Sequence, residues 1–136
     1  MRQRVPKRFS NQRGQSLIET AMMIVVIFTV VFWVFELGWL MYTYTVMANA
    51  ANEGVRHAIV RSGGDPSGTQ TTVKNFAATS LHSTSGISVS VTFPDGSATP
   101  PNRVKVSVSY TYVPWLKGYI STPTMTTSAE GTMVVQ

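Results

Sequence analysis

Cysteine is absent from the 136-residue chain, so neither a disulfide framework nor a thiolate metal site can form. Acidic residues are absent from residues 1–14, although this leader holds five of the eleven lysine and arginine residues: Arg2, Arg4, Lys7, Arg8 and Arg13. The remaining basic residues are balanced by acidic ones. The basic isoelectric point is therefore a property of the leader, and the sequence predicts no nucleic-acid partner, which would need a basic face on the folded domain.

Proline is absent from residues 15–62, and the first part of this stretch is a long apolar run. A membrane span needs roughly 20 mainly apolar residues, so residues 17–42 predict a single transmembrane helix with Glu19 and Glu36 near its two ends. The basic leader indicates a cytoplasmic N-terminus by the positive-inside rule. Aromatic residues typical of the opposite membrane interface crowd the far end of the run: Trp33, Phe35, Trp39, Tyr42 and Tyr44.

Helical periodicity continues beyond the apolar run, which predicts one helix over residues 15–62, about 72 Å long at about 1.5 Å per residue. The stretch Gly63-Gly64-Asp65-Pro66 is typical of a helix stop. Ala50, Gly54 and Ala58 form a ladder of small residues that lets another backbone approach closely. Two alternatives remain open for this ladder: packing on neighbouring subunits, or packing on the protein's own sheet.

Alternating sequences in the last third of the chain predict β-strands. The stretches "GISVSVTF" and "RVKVSVSYTY" alternate apolar and polar residues with period two, and "TMTTSAEGTMVVQ" predicts a third strand. Residues 63–85 form a connector in which Val73, Phe76, Ala77 and Leu81 fit one stripe of a short helix over residues 71–82. We therefore predict an α+β protein, with a long N-terminal transmembrane helix followed by a small, mainly antiparallel β domain over residues 86–136.

Residues that could carry enzyme chemistry are few and scattered. His57 lies on the long helix, His82 lies in the connector, and Asp65 and Asp95 occur beside proline or in a turn sequence. These residues show no nucleophile–base pairing and no metal-ligand spacing. The sequence accordingly predicts no enzyme, no catalytic residue, no metal and no cofactor.

Glu19 needs an explanation, because a carboxylate in an apolar phase costs several kcal/mol unless it is paired or neutralised. A cut between Gly14 and Gln15 would create an α-ammonium group about one helical turn before Glu19. This amine could pair with Glu19 in its own chain or, in a staggered bundle, with Glu19 of a neighbouring chain. The alternative is that Glu19 simply lies in the cytoplasmic headgroup region.

Two stretches carry a resemblance to a known family. The sequence "RGQSLIE" resembles the type IV prepilin processing site, with a glycine at the cut and a glutamate at the fifth mature position. The stretch "FELGWLMYTYTVMANAANEGVRHAIV" resembles the TadE-like pseudopilins of tight-adherence (Flp-type) pilus systems. The resemblance covers residues 10–62 well and residues 86–136 loosely; one departure is Thr20, where an aromatic residue often follows the glutamate in that family. The residues that match are Glu36, Gly38, Asn49, Ala50, Ala51, Glu53, Gly54, Arg56 and Ala58.

The resemblance implies a pilin-like fold and a structural role as a minor pilin or pseudopilin in assembling the pilus. It implies cleavage between Gly14 and Gln15 by a membrane-embedded prepilin peptidase, and a register-setting role for Glu19. The implied partners are the peptidase, other pilins and the inner-membrane assembly platform. The implied location is the bacterial inner membrane, with a single span, an extracytoplasmic C-terminal domain and possible incorporation into a surface pilus.

Other interpretations lead to different mature chains. Ala48-Asn49-Ala50 is an A-x-A triplet after an apolar run, as signal peptidase prefers, although this run is longer than an ordinary signal-peptide core. Cleavage there would remove the whole span. A single-pass anchored binding module or adhesin would instead keep Met1, because it needs no prepilin peptidase.

Overall fold

The computed structural model describes residues 12–60, 65–81, 83–115, 117–118 and 121–133, with side chains from Gly14 onward. The chain divides after Phe35 into two compact units, which are described separately. Several predicted features lie outside the described residues: the basic leader residues Arg2, Arg4, Lys7 and Arg8, the helix stop at Gly63-Gly64, and His82. Arg13 belongs to the first helix, but its side chain is outside the description.

Helix α1 runs over Gln12–Val60 as one uninterrupted helix, consistent with the lack of proline. It contains the whole predicted span. The hydroxyls of Thr20 and Thr29 donate to the carbonyls of Ser16 and Val25, each at 2.8 Å. These intrahelical bonds satisfy polar groups that would otherwise be costly in an apolar environment.

Helix α2 runs over Pro66–Ser80 and begins earlier than the predicted short helix. The Asp65 side chain caps it by accepting from the backbone N–H of Ser67 at 3.1 Å, and Pro66 occupies the first turn. Asp65-Pro66, which the sequence suggested as part of a helix stop, is thus the start signal of α2. Phe76 departs from the predicted stripe, since it is 39% exposed.

Three strands form one antiparallel sheet in the order β1-β2-β3, which confirms the predicted α+β class. The strands are β1 (Ile87–Thr92), β2 (Arg103–Thr111) and β3 (Thr124–Thr132). The alternating sequence of the central strand places its valines on one face of the sheet, and all three are fully buried: Val104, Val106 and Val108. The register places Val108 between Val89 of β1 and Thr127 of β3.

The hydrophobic core lies in the second unit, where the C-terminal part of α1, helix α2 and one face of the sheet meet. Its members from α1 are Val46, Met47, Ala50, Ala51, Val55 and Ala58, and its members from the rest of the unit are Val73, Ala77, Leu81, Ile87, Val104, Val106, Val108 and Met133. The C-terminal part of α1 therefore belongs to the folded domain and packs against its sheet.

Two glycines allow the close approach of α1 to the rest of this unit. A β carbon on Gly54 would lie 2.5 Å from Cγ2 of Val73 and 3.1 Å from Cγ1 of Val106. A β carbon on Gly131 of β3 would lie 2.7 Å from Cγ1 of Val55. Side chains at these positions would overlap packed valines, so the helix can only lie this close where both elements carry glycine.

Candidate functional site

The first unit presents an apolar helix surface that faces outward on every side. Its large apolar side chains between Leu17 and Phe35 are 42% to 73% exposed. None of the most apolar stretch of α1 is buried. A helix that is hydrophobic all round requires an apolar environment. By length and composition, α1 is able to cross a membrane.

The predicted processing site lies in the first turns of α1. Gly14, Gln15 and Glu19 are all exposed, and the space around the missing β carbon of Gly14 is empty to 4 Å. Gln15 and Glu19 are four residues apart in a continuous helix, so they lie on one face about one turn apart. The ion pairs found among the described residues, Arg103–Asp95 and Lys105–Glu130, do not include Glu19.

The ladder of small residues on α1 is covered by the chain itself. Ala50 is 0% exposed and Ala58 is 7% exposed, while Gly54 faces Val73 of α2 and Val106 of β2. Of the two alternatives left open by the sequence, the structure shows the intramolecular one at this face. Packing on neighbouring subunits is not needed to explain why these residues are small.

A polar contact between α1 and the segment after β2 was not predicted from the sequence. The Glu36 carboxylate oxygen Oε1 accepts a hydrogen bond from the Tyr112 hydroxyl at 2.8 Å and another from the backbone N–H of Trp115 at 3.3 Å. Tyr112 is 4% exposed, and its burial, together with the nearby carboxylate, raises the pKa of its hydroxyl. The only sequence signal was a carboxylate within an otherwise apolar run, and its partners could not be identified from it.

A shallow groove of about 600 Å³ lies next to this contact. Its lining combines the next helical turns of α1, the residues between α2 and β1, and the C-terminal end of β2 with the segment that follows it. The lining includes Trp39, Thr43, Leu81, Tyr110, Tyr112 and Trp115. Trp39 and Trp115 are respectively 52% and 88% exposed. The groove therefore exposes two aromatic side chains, and its lining, as far as the structure describes it, contains no histidine, aspartate or glutamate.

Three of the four residues considered for enzyme chemistry lie in the described part of the chain, and each of them has a structural contact. Nδ1 of His57 lies 3.2 Å from the Thr69 hydroxyl, which links α1 to α2. Asp65 caps α2, and the hydrogen bond from the Ser67 hydroxyl lowers the pKa of this carboxyl. Asp95 accepts hydrogen bonds from the Arg103 guanidinium, which lower its pKa. Among the described residues, no three His, Asp or Glu side chains come together as metal ligands do.

The comparison with protein families places its match on helix α1. Residues 14–56, about a third of the chain, match the family model described as TadE-like protein. The match begins at Gly14, includes the apolar segment and ends near the C-terminus of α1. It confirms, for these residues, the resemblance drawn from the sequence. No curated protein and no solved structure matches the chain.

Proposed function

We propose that this protein is a minor pilin or pseudopilin that takes part in assembling a tight-adherence pilus. Its TadE-like segment, residues 14–56, supplies both the apolar helix and one wall of the folded domain. The observation that supports the proposal most directly is that one helix forms both the apolar segment and part of the core of the domain. A pilin subunit must remain attached to its hydrophobic helix when it leaves the membrane, because the same helix then packs inside the filament.

The buried residues of α1 argue against removal of the span by signal peptidase. Ala48-Asn49-Ala50 lies inside the helix, and both Met47 and Ala50 are 0% exposed. A cut at this triplet would take Val46 and Met47 out of the core of the second unit. Loss of buried side chains of this size costs about 2 to 5 kcal/mol each, which a domain this small could not absorb.

The exposed apolar surface of the first unit supports a helix with two successive environments. Before assembly, residues 17–35 would anchor the subunit in the inner membrane, with the N-terminus cytoplasmic and the domain on the opposite side. After assembly, the same side chains would pack against equivalent helices of other pilins. The prepilin peptidase, these pilins and the inner-membrane assembly platform are the partners that this role requires.

Glu19 has a specific part in the proposed assembly. Cleavage between Gly14 and Gln15 creates an ammonium group, and in a staggered bundle that group would neutralise Glu19 of a neighbouring subunit. A charge pair in an apolar surrounding is strongly favoured over two separate charges, so it would fix the stagger of adjacent helices. Glu19→Gln should therefore be cleaved normally but assemble poorly. Normal pilus assembly by this variant would remove the register role.

The experiment that tests the proposal is an intact-mass measurement of the protein purified from cells with and without the prepilin peptidase. We expect a mature chain beginning at Gln15 only where the peptidase is present. Gly14→Leu is a useful uncleaved reference, because the space around Gly14 is empty and the fold should tolerate the side chain. Gly38→Leu, another substitution into open space on α1, should be cleaved as the wild type is.

The alternative function is a single-pass anchored binding module or adhesin, which the exposed aromatic groove beside Glu36 would favour. The mass measurement separates the two. An N-terminus that is the same in both strains would reject the pilin proposal and leave the anchored module. A chain that begins after Ala50 would reject both, because neither function survives removal of the span.

A further inference from the structure

The segment after β2 is held close to the point where the apolar run of α1 ends. Glu36 directly follows the apolar stretch that closes at Phe35. Its Oε1 atom accepts from the Trp115 backbone N–H at 3.3 Å and from the Tyr112 hydroxyl at 2.8 Å. These two bonds hold this segment against α1 at Glu36, which lies near one end of the predicted span, residues 17–42.

The side chains presented near this contact are unusual for the surface of a water-soluble domain. Trp115 is 88% exposed, the highest value among the large hydrophobic side chains described. Val113 in the same segment is 54% exposed, and Trp39, about one turn beyond Glu36 on α1, is 52% exposed. Lys117 is also exposed. We refer to Trp39, Val113, Trp115 and Lys117 as the interfacial patch.

A lipid surface matches the chemistry of this patch. Tryptophan concentrates at the headgroup level of membranes, where its ring is in contact with acyl chains and its N–H with polar groups. A lysine beside it can keep its apolar stem near the ring while its ammonium group reaches lipid phosphates. Glu36, which binds the segment that carries Trp115, directly follows the apolar run in sequence, so a bilayer around residues 17–35 would have its headgroup region near this residue.

We propose that the interfacial patch contacts the outer headgroup region of the bilayer that α1 crosses. The contact would give the domain a second attachment to the membrane and fix its tilt, which a single helix leaves free. Glu36 acts as a positioning residue, since it binds the segment that carries Trp115 and does not itself need to touch lipid. This inference rests on the proposed function, because it requires that the span is retained in the membrane.

The test uses the three tryptophans of the chain as separate probes in the full-length protein. One variant, Trp33→Phe with Trp39→Phe, keeps only Trp115; a second, Trp39→Phe with Trp115→Phe, keeps only Trp33 inside the apolar run. Each is reconstituted into phosphatidylethanolamine–phosphatidylglycerol vesicles that contain lipids brominated either near the headgroup or near the bilayer centre. Iodide in the external buffer measures exposure to water.

We expect the headgroup-proximal bromines to cause roughly a twofold loss of Trp115 fluorescence, with a smaller loss from the deep bromines and weak quenching by iodide. Strong iodide quenching of Trp115 without lipid quenching would overturn the inference. Protection from both quenchers would overturn it as well, because a protein surface would then cover the patch. Trp33 separates the failure of this inference from the failure of the proposed function. If brominated lipids quench Trp33 but not Trp115, the helix spans the membrane and only the lipid contact of the interfacial patch is rejected. If they do not quench Trp33, both the membrane span and the lipid contact are rejected.

A second pair of variants tests the part assigned to Glu36. In the chain that keeps only Trp115, Glu36→Leu removes the acceptor, whereas Glu36→Gln keeps a side-chain oxygen that can accept. We expect lipid quenching of Trp115 to fall in the leucine variant and to persist in the glutamine variant. Trp33 quenching should be the same in matched leucine and glutamine variants of the other probe, which controls for insertion. Equal Trp115 quenching in both would overturn the positioning role.

Discussion

Helix α1 has two parts, one in each unit, and both are rich in apolar residues. The apolar side chains of the first part are exposed, whereas those on one face of the second part are buried. Large side chains in the first unit, such as Phe28, Phe32 and Trp33, are 49% to 59% exposed. In the second unit the buried face of the same helix places small residues, such as Ala50 and Ala51 at 0% exposure, among the larger Val46, Met47 and Val55. Bulky side chains suit a fluid apolar surrounding, whereas small ones let the backbone approach a packed sheet.

The other faces of the two parts differ as well. Asn49, Asn52 and Arg56 are exposed on the second part, which makes it amphipathic in the manner of a helix at a domain surface. The first part has no such polar face between Ala21 and Phe35, where Thr29 is the one polar residue and bonds to its own helix. The presence of small buried side chains and of a polar face distinguishes the second part of α1 from the first.

The largest effect is expected from a charge in the first part. Val26→Arg should cost about 3 kcal/mol of membrane insertion, because a guanidinium at the centre of a span is strongly disfavoured. Asn52→Arg is the matched control, since it places the same charge on the exposed polar face of the second part. The readout is the fraction of protein retained in membranes after alkaline carbonate extraction. Equal retention of the two variants would mean that the first part does not lie in lipid.

The next effect concerns close packing in the second part. Gly54→Leu should destabilise the second unit by about 2 kcal/mol, because its β carbon alone would overlap Val73 and crowd Val106. Gly38→Leu is the same change on the same helix in open space, and it should leave stability unchanged or raise it by up to about 1 kcal/mol through helix propensity. Urea unfolding of the full chain in detergent micelles, followed by protease resistance of the domain, compares them. Similar midpoints for the two variants would contradict the packing described for this face.

A smaller effect is expected where the two parts of α1 meet. Tyr112→Phe should cost about 1 kcal/mol of unfolding free energy, because it removes the hydroxyl that donates to the partly exposed Glu36 carboxylate. Tyr110→Phe removes a hydroxyl from the neighbouring strand and should cost less, since no such bond to a carboxylate is lost. The same urea titration measures both. A loss in the Tyr110 variant equal to that in the Tyr112 variant would show that the Glu36 bond contributes nothing.

Sequence reasoning succeeded where the information is local. The period-two alternation in β1 and β2 depends on neighbouring residues, and so does the uninterrupted apolar run of α1. The same is true of the resemblance, which rests on contiguous stretches that the family match then confirmed. These features identify the elements, their order and the α+β class.

Contacts between distant residues could not be predicted in this way. Glu36 and Tyr112 are 76 positions apart, and no periodicity links a carboxylate in an apolar run to a tyrosine at the end of a strand. The close approach of Gly131 to Val55 is equally invisible until the packing of α1 on the sheet is known. The sequence placed Asp65-Pro66 in the stop of the first helix, and the structure adds that the same two residues begin α2. The end of one helix and the start of the next use the same residue types, so the second role was not recognised.

The smallest effect is a dependence on pH that involves the second unit alone. Hydrogen bonds from Ser67 and Gly68 lower the pKa of Asp65 in the folded state, so its contribution to stability is complete above the unfolded value near 3.9 and is lost as the pH falls through the lower folded value. Asp65→Ala should therefore be less stable than the wild type at neutral pH, and the difference should close in acid. Asp65→Asn keeps the cap without the titration, so its stability relative to Asp65→Ala should change little over the same range. Urea titrations between neutral and acid pH measure all three chains, and a wild-type advantage that persists undiminished in strong acid would show that capping by the charged carboxylate is not its source.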